Sequence, residues 1–141
     1  MKRLPRKKAT DDGIGSSPVL RGLFRSFAKL AERTAEDRPL LRGLRIASDP
    51  RADRFVVAHS SSYVEFVLAI PGDCVPPLGQ IECRRMDSSG ATQESTIARF
   101  RFNEAGIITE STVPELVGQD IALAATACSL VAAVLWVNLH A

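Results

Sequence analysis

STIARFRF, residues 95–102, alternates: Ala98, Phe100 and Phe102 fall on one side of an extended chain, Arg99 and Arg101 on the other. Successive side chains of a strand point to opposite faces, so this stretch predicts a sheet covered on one face and wetted on the other, as antiparallel sheets often are. The same period of two runs through the middle of the chain. RFVVAH (54–59) and YVEFVLAI (63–70) flank a serine link, and Val64, Phe66, Leu68 and Ile70 share one face of the second. GQIECRRMD (79–87) and IITES (107–111) complete the set, with PGDCVPP (71–77) as a loop and DSSG (87–90) and NEAG (103–106) as turns. The expectation is a meander of about five antiparallel strands.

Towards the N-terminus the period lengthens. Val19, Leu20, Leu23, Phe24, Phe27, Leu30 and Ala31 recur at helical spacing, Ser17 is placed to cap and Pro18 suits a first helical position. This predicts an amphipathic helix from Pro18 to near Asp37, ended by Pro39, with Phe24 and Phe27 in the core. Arg21, Arg25, Lys29 and Arg33 recur every fourth residue beside the apolar face. Such a basic edge is the candidate contact for an anionic partner. PVLRGL at Pro18 is echoed by PLLRGL at Pro39; the second copy is expected to make about two helical turns before the turn-rich SDPRADR (48–54). The likeness ends after six positions, so the echo is not a structural repeat.

Towards the C-terminus, Thr112 and Glu115 have capping-box spacing and Asp120 is placed to cap the next segment. Residues 121–139 then carry no charge. As a helix, Leu123, Leu130 and Val134 are expected to pack on Phe66, Leu68, Phe100 and Phe102. The small residues Ala122, Ala125, Thr126, Ser129, Ala132 and Ala133 would admit another helix, either the N-terminal one or a partner subunit's. The alternative is a membrane anchor, since such a helix is about 28 Å long against a hydrocarbon layer of about 30 Å. The whole pattern predicts an α+β fold: N-terminal amphipathic helix, meander, and a long apolar C-terminal helix on one sheet face. Residues 1–17, with nothing to bury, are expected to be a disordered basic arm, leaving 18–141 as a single domain.

Net charge is +2, but its distribution is uneven. Residues 1–54 hold fourteen lysines and arginines against seven acids, and residues 55–141 hold four against nine. A basic front of this kind meets nucleic acid, an acidic membrane surface or the chain's own acidic half. Cys74, Cys83 and Cys128 lack the spacing of a disulfide framework or a zinc knuckle, which points to a reducing compartment. The start MKRLPRKKATDDGIGSSP has a charged head with no apolar stretch behind it, unlike a secretory signal. A cytoplasmic location is expected.

Catalytic signals are sparse. His59 and His140 have no ligand or base at diagnostic spacing, GIGSSP lacks a preceding strand and a third glycine, and no Walker or nucleophile-elbow motif occurs. No catalytic, metal or cofactor residue is assigned. Glu65, Glu82, Glu94 and Glu110 facing Arg84, Arg85, Arg99 and Arg101 read as cross-strand ion pairs, and Cys83 as a buried, unreactive thiol. Phe100 and Phe102 have the wrong parity for an RNA-stacking sheet surface.

FRFNEAGIITE (100–110) resembles the last hairpin of NTF2-like domains of the SnoaL type, and IECRRMDSSGA (81–91) followed by FRFNEAG is similar to the final strands of PAS sensor domains. Either resemblance implies a ligand cavity between sheet and helix. The uncharged C-terminal helix belongs to neither pattern, so no functional residue is carried over. The functional expectation is a non-enzymatic binding or adaptor domain acting through protein contacts, with a protein partner or a homo-oligomer. Its alternatives are a small-ligand pocket or weak enzyme, and a tail-anchored membrane protein.

Overall fold

Six strands form one antiparallel sheet in the computed structural model, which describes residues 18–37, 43–49, 53–59, 62–87 and 92–140. The arm expected at residues 1–17 lies outside them. Helix α1 (Pro18–Asp37) precedes β1 (Arg45–Asp49), β2 (Arg54–His59), β3 (Ser62–Ala69), β4 (Gly79–Met86), β5 (Thr92–Phe102) and β6 (Ile108–Ser111). A single 3-10 turn (Pro114–Leu116) and helix α2 (Ala124–His140) complete the chain. Each strand pairs with its sequence neighbours, so the sheet is a plain meander.

The added strand is β1. Helical turns were expected there, but Gly43 takes φ +84°, a left-handed conformation that ends helical propagation. The next residues extend along β2, with Ile46 opposite Val57 on the core side. Half-burying Ile46 against the sheet outweighs local helix preference in so short a segment.

Alternation places the core on one face. Phe55 and Phe66 stand opposite each other on β2 and β3 and stack with ring centroids 4.6 Å apart. From α1, Phe24 and Phe27 close on Phe55 at 5.7 and 5.6 Å. Ile81 and Cys83 on β4 and Ala98, Phe100 and Phe102 on β5 continue the layer. Gly79 allows it to close, because a Cβ there would lie 2.3 Å from the Phe102 ring. All six phenylalanines of the chain are buried.

Helix α2 packs against α1 and across β3 and β5. It buries Ala127, Leu130, Val131, Val134 and Leu135, spaced three and four apart as on one helix face. Leu130 and Val134 thus face inward as expected, whereas Leu123 is 55% exposed because the helix begins after it. The start is set by a turn: Ile121 N donates to Gly106 O, and Ala122 N donates to Asp120 Oδ1 at 2.8 Å. Asp120 therefore caps that turn rather than α2. Thr112 does not cap the 3-10 turn either, since its Oγ1 accepts from Arg99 N at 3.0 Å. Among the described residues no helix is long and apolar enough to cross a membrane.

Candidate binding surfaces

Asp53 organises the surface on which the basic stripe lies. It sits at the entry to β2 with φ +48°, a conformation that aspartate adopts more readily than most side chains. Its carbonyl accepts from Leu68 N at 2.9 Å, and its side chain is 8% exposed. Arg21 Nη1 donates to Asp53 Oδ2, and Arg25 Nη2 approaches Oδ1 at 3.5 Å. Half of the predicted stripe therefore clamps α1 to the sheet. Lys29 and Arg33, the other half, are exposed.

Between α1 and the β1–β2 edge runs a groove of about 250 Å³ lined by Phe24, Arg25, Ala28, Lys29, Glu32, Ser48, Asp49, Asp53 and Arg54. Arg25 and Lys29 meet Glu32 and Asp53 there, and Ser48 Oγ donates to Glu32 Oε1 at 2.7 Å. The charges balance, so the groove is not a dedicated anion pocket. Arg33 does not line it.

On the face away from the helices, polar side chains form a ladder. Arg101 Nε donates to Gln80 Oε1 at 2.8 Å, Gln80 Nε2 donates to Glu82 Oε2 at 2.7 Å, and Arg84 Nη2 donates to Glu82 Oε1 at 2.9 Å. Arg99 lies 3.9 Å from Glu82, and Arg101 lies 3.8 Å from Glu110. The hydrogen bond from Arg84 and the charges of Arg84 and Arg99 hold the Glu82 carboxyl below the ordinary carboxylate range, against the opposing effect of burial. Glu65 pairs with Arg54 at 2.9 Å. The side chain of Glu94 lies outside the described residues. Arg85 departs from the expected ion pairs: it reaches α2, where Nε donates to Asn138 Oδ1 at 2.7 Å and Nη2 to Asn138 O at 2.9 Å. Cys83 is fully buried, and burial pushes its thiol well up.

A second groove, of about 460 Å³, lies between α2 and the 3-10 turn. Thr112, Val113, Pro114, Glu115, Ala133, Trp136 and Val137 line it. Trp136, the only tryptophan, is 62% exposed. Sequence reasoning passed over it, because one large aromatic in an uncharged run reads as core. Asp53 was also missed; its partners lie 32 and 28 residues away, beyond any local spacing rule. Among the described residues no group of three or more His, Cys, Asp or Glu side chains is placed to hold a metal ion. No family model, curated protein or solved structure matches the chain.

Proposed function

We propose that this chain is a non-enzymatic binding module, an adaptor that takes an apolar segment of a partner protein into the groove between α2 and the 3-10 turn. Trp136 carries the reading. A tryptophan left 62% exposed beside Val113, Pro114, Ala133 and Val137 offers a large apolar area at low entropic cost, and buried tryptophans dominate the energetics of protein interfaces. Glu115 at the same groove, together with the acid excess of residues 55–141, favours basic residues flanking the partner's apolar anchor. The filling of the sheet–helix layer by six phenylalanines supports a surface-binding role over an internal cavity. Lys29 and Arg33 form a second contact, for an anionic partner.

The test is selection of displayed peptides on the immobilised chain with counter-selection on Trp136→Ser. Enriched peptides are expected to pair an apolar anchor with lysine or arginine and to shift the emission of Trp136 on binding. Peptides that bind the serine variant equally well, or no enrichment on the wild type, overturn the reading.

A further inference from the structure

The two edges of the sheet are finished differently. Outside β6, Ile108 N donates to Gln119 O at 2.9 Å and Gly118 N donates to Ile108 O at 2.8 Å, while Ile107 bridges Asp120. The chain thereby covers the start of its own last strand. At the other edge, β1 ends the strand order and is largely exposed along its length.

The backbone groups that β1 presents are set by its register. Leu68 N donates to Asp53 O at 2.9 Å, which makes Asp53 and Leu68 a hydrogen-bonded pair of the β2–β3 ladder. Such pairs alternate in antiparallel sheets. Phe55 and Val57 therefore bond towards β3, and Arg54, Val56 and Ala58 turn their N–H and C=O towards β1. Their partners are Asp49, Ala47 and Arg45. Ile46 and Ser48 are left to direct their N–H and C=O outward, at an edge that no other strand pairs among the described residues.

We infer that β1 is a self-complementary edge through which two copies of this chain join their sheets. A two-fold axis at Ala47 sets Ile46 of each copy opposite Ser48 of the other, so the four outward N–H groups meet four outward C=O groups. Ala47 then faces its own copy at the close, non-hydrogen-bonded position, where strands approach to about 4.5 Å between Cα atoms and a small side chain fits. The same axis places Arg45 of each copy across from Asp49 of the other, on the face away from the helices. Both residues are exposed, and neither forms an ion pair with another described residue. Charge at an edge strand ordinarily deters pairing. Here the opposite signs are symmetric about Ala47, so in this register self-pairing is attractive. This interface is independent of the Trp136 groove, and Trp136→Ser is expected to leave it intact.

Sedimentation equilibrium of the full chain across the micromolar range tests the interface. Wild type is expected to dimerise. Arg45→Asp and Asp49→Arg each oppose like charges and should raise the dissociation constant about tenfold or more, while the double variant Arg45→Asp/Asp49→Arg recovers the dimer. Ser48→Pro removes the outward backbone donor and one exposed side-chain hydrogen bond to Glu32, so its circular dichroism stays native while association is lost. A wild type that remains monomeric overturns the inference. So does a dimer that the single charge changes and Ser48→Pro leave untouched, or a natively folded double variant that fails to recover association.

Discussion

Glu82 takes hydrogen bonds from Arg84 and Gln80 and lies close to Arg99, so its charge is matched from three side chains at once. Its carboxyl titrates below the ordinary value of 4.5 in the folded protein. A lowered folded value means stability that is present above the unfolded pKa and lost as pH falls through the folded one. Glu82→Gln should therefore be less stable than wild type at neutral pH, by about 0.5–1 kcal/mol for a partly exposed network. The deficit should shrink with acidification through and below pH 4.5. Urea unfolding at a series of pH values measures this, and a constant gap would assign Glu82 a packing role instead. Asp53 poses a different problem, because its carboxylate is buried and answers two arginines that are themselves partly exposed. Asp53→Asn keeps the tolerance for positive φ and removes the charge. The expected cost is about 1–2 kcal/mol, reduced from the value for fully buried pairs by solvent at Arg21 and Arg25. Asp53→Val adds backbone strain and should lose more; equal losses in the two variants would contradict the role given to the charge.

Helix α1 carries a stripe of one charge sign divided between two uses. Arg21→Gln/Arg25→Gln should lower the unfolding midpoint, since both side chains hold Asp53. Lys29→Gln/Arg33→Gln should leave the midpoint unchanged and weaken binding to anionic vesicles severalfold at low salt, an effect that fades at physiological ionic strength as exposed charges are screened. Vesicle co-sedimentation of both variants separates these outcomes. The stripe itself was legible, because a four-residue recurrence comes from helix geometry alone. Its division was not, since that depends on where the β1–β2 turn delivers Asp53. The strands obey the same rule. β2 to β6 could be read from alternation and turn residues, whereas β1 was hidden behind leucine and arginine that suit a helix equally well. What decides β1 is Gly43 at φ +84° and the place for Ile46 opposite Val57, both matters of tertiary context. Of the grooves, the sequence showed residues of the α1 side, while the Trp136 groove needs residues 112–115 brought against α2, a tertiary contact.

At the scale of the molecule, the sheet has one dry face, and α2 supplies part of its cover. The uncharged run at residues 121–139 is long enough to have suggested a bilayer, yet its first three residues belong to a turn tied to Gly106 and Asp120. The remainder buries Leu130, Val131, Val134 and Leu135 in the same cluster as Phe100 and Phe102. Arg85 fixes the far end of the helix through Asn138, so α2 is tied to the sheet by a charged donor as well as by apolar contact. Burying four aliphatic side chains contributes on the order of 6–12 kcal/mol, comparable with the whole stability of an ordinary domain, roughly 5–15 kcal/mol. Removing α2 should therefore abolish the folded state instead of trimming an appendage. A chain ending at Leu123 is expected to lose its cooperative urea transition and to bind a hydrophobic dye strongly, while the full chain unfolds in a single sharp step. Arg85→Ala in the full chain should give a milder loss, with the transition intact but shifted to lower urea, because the apolar face stays in place. If the truncated chain kept a sharp transition close to that of the full one, the sheet and α1 would form a complete core by themselves, and α2 would have to be assigned to contacts outside the domain.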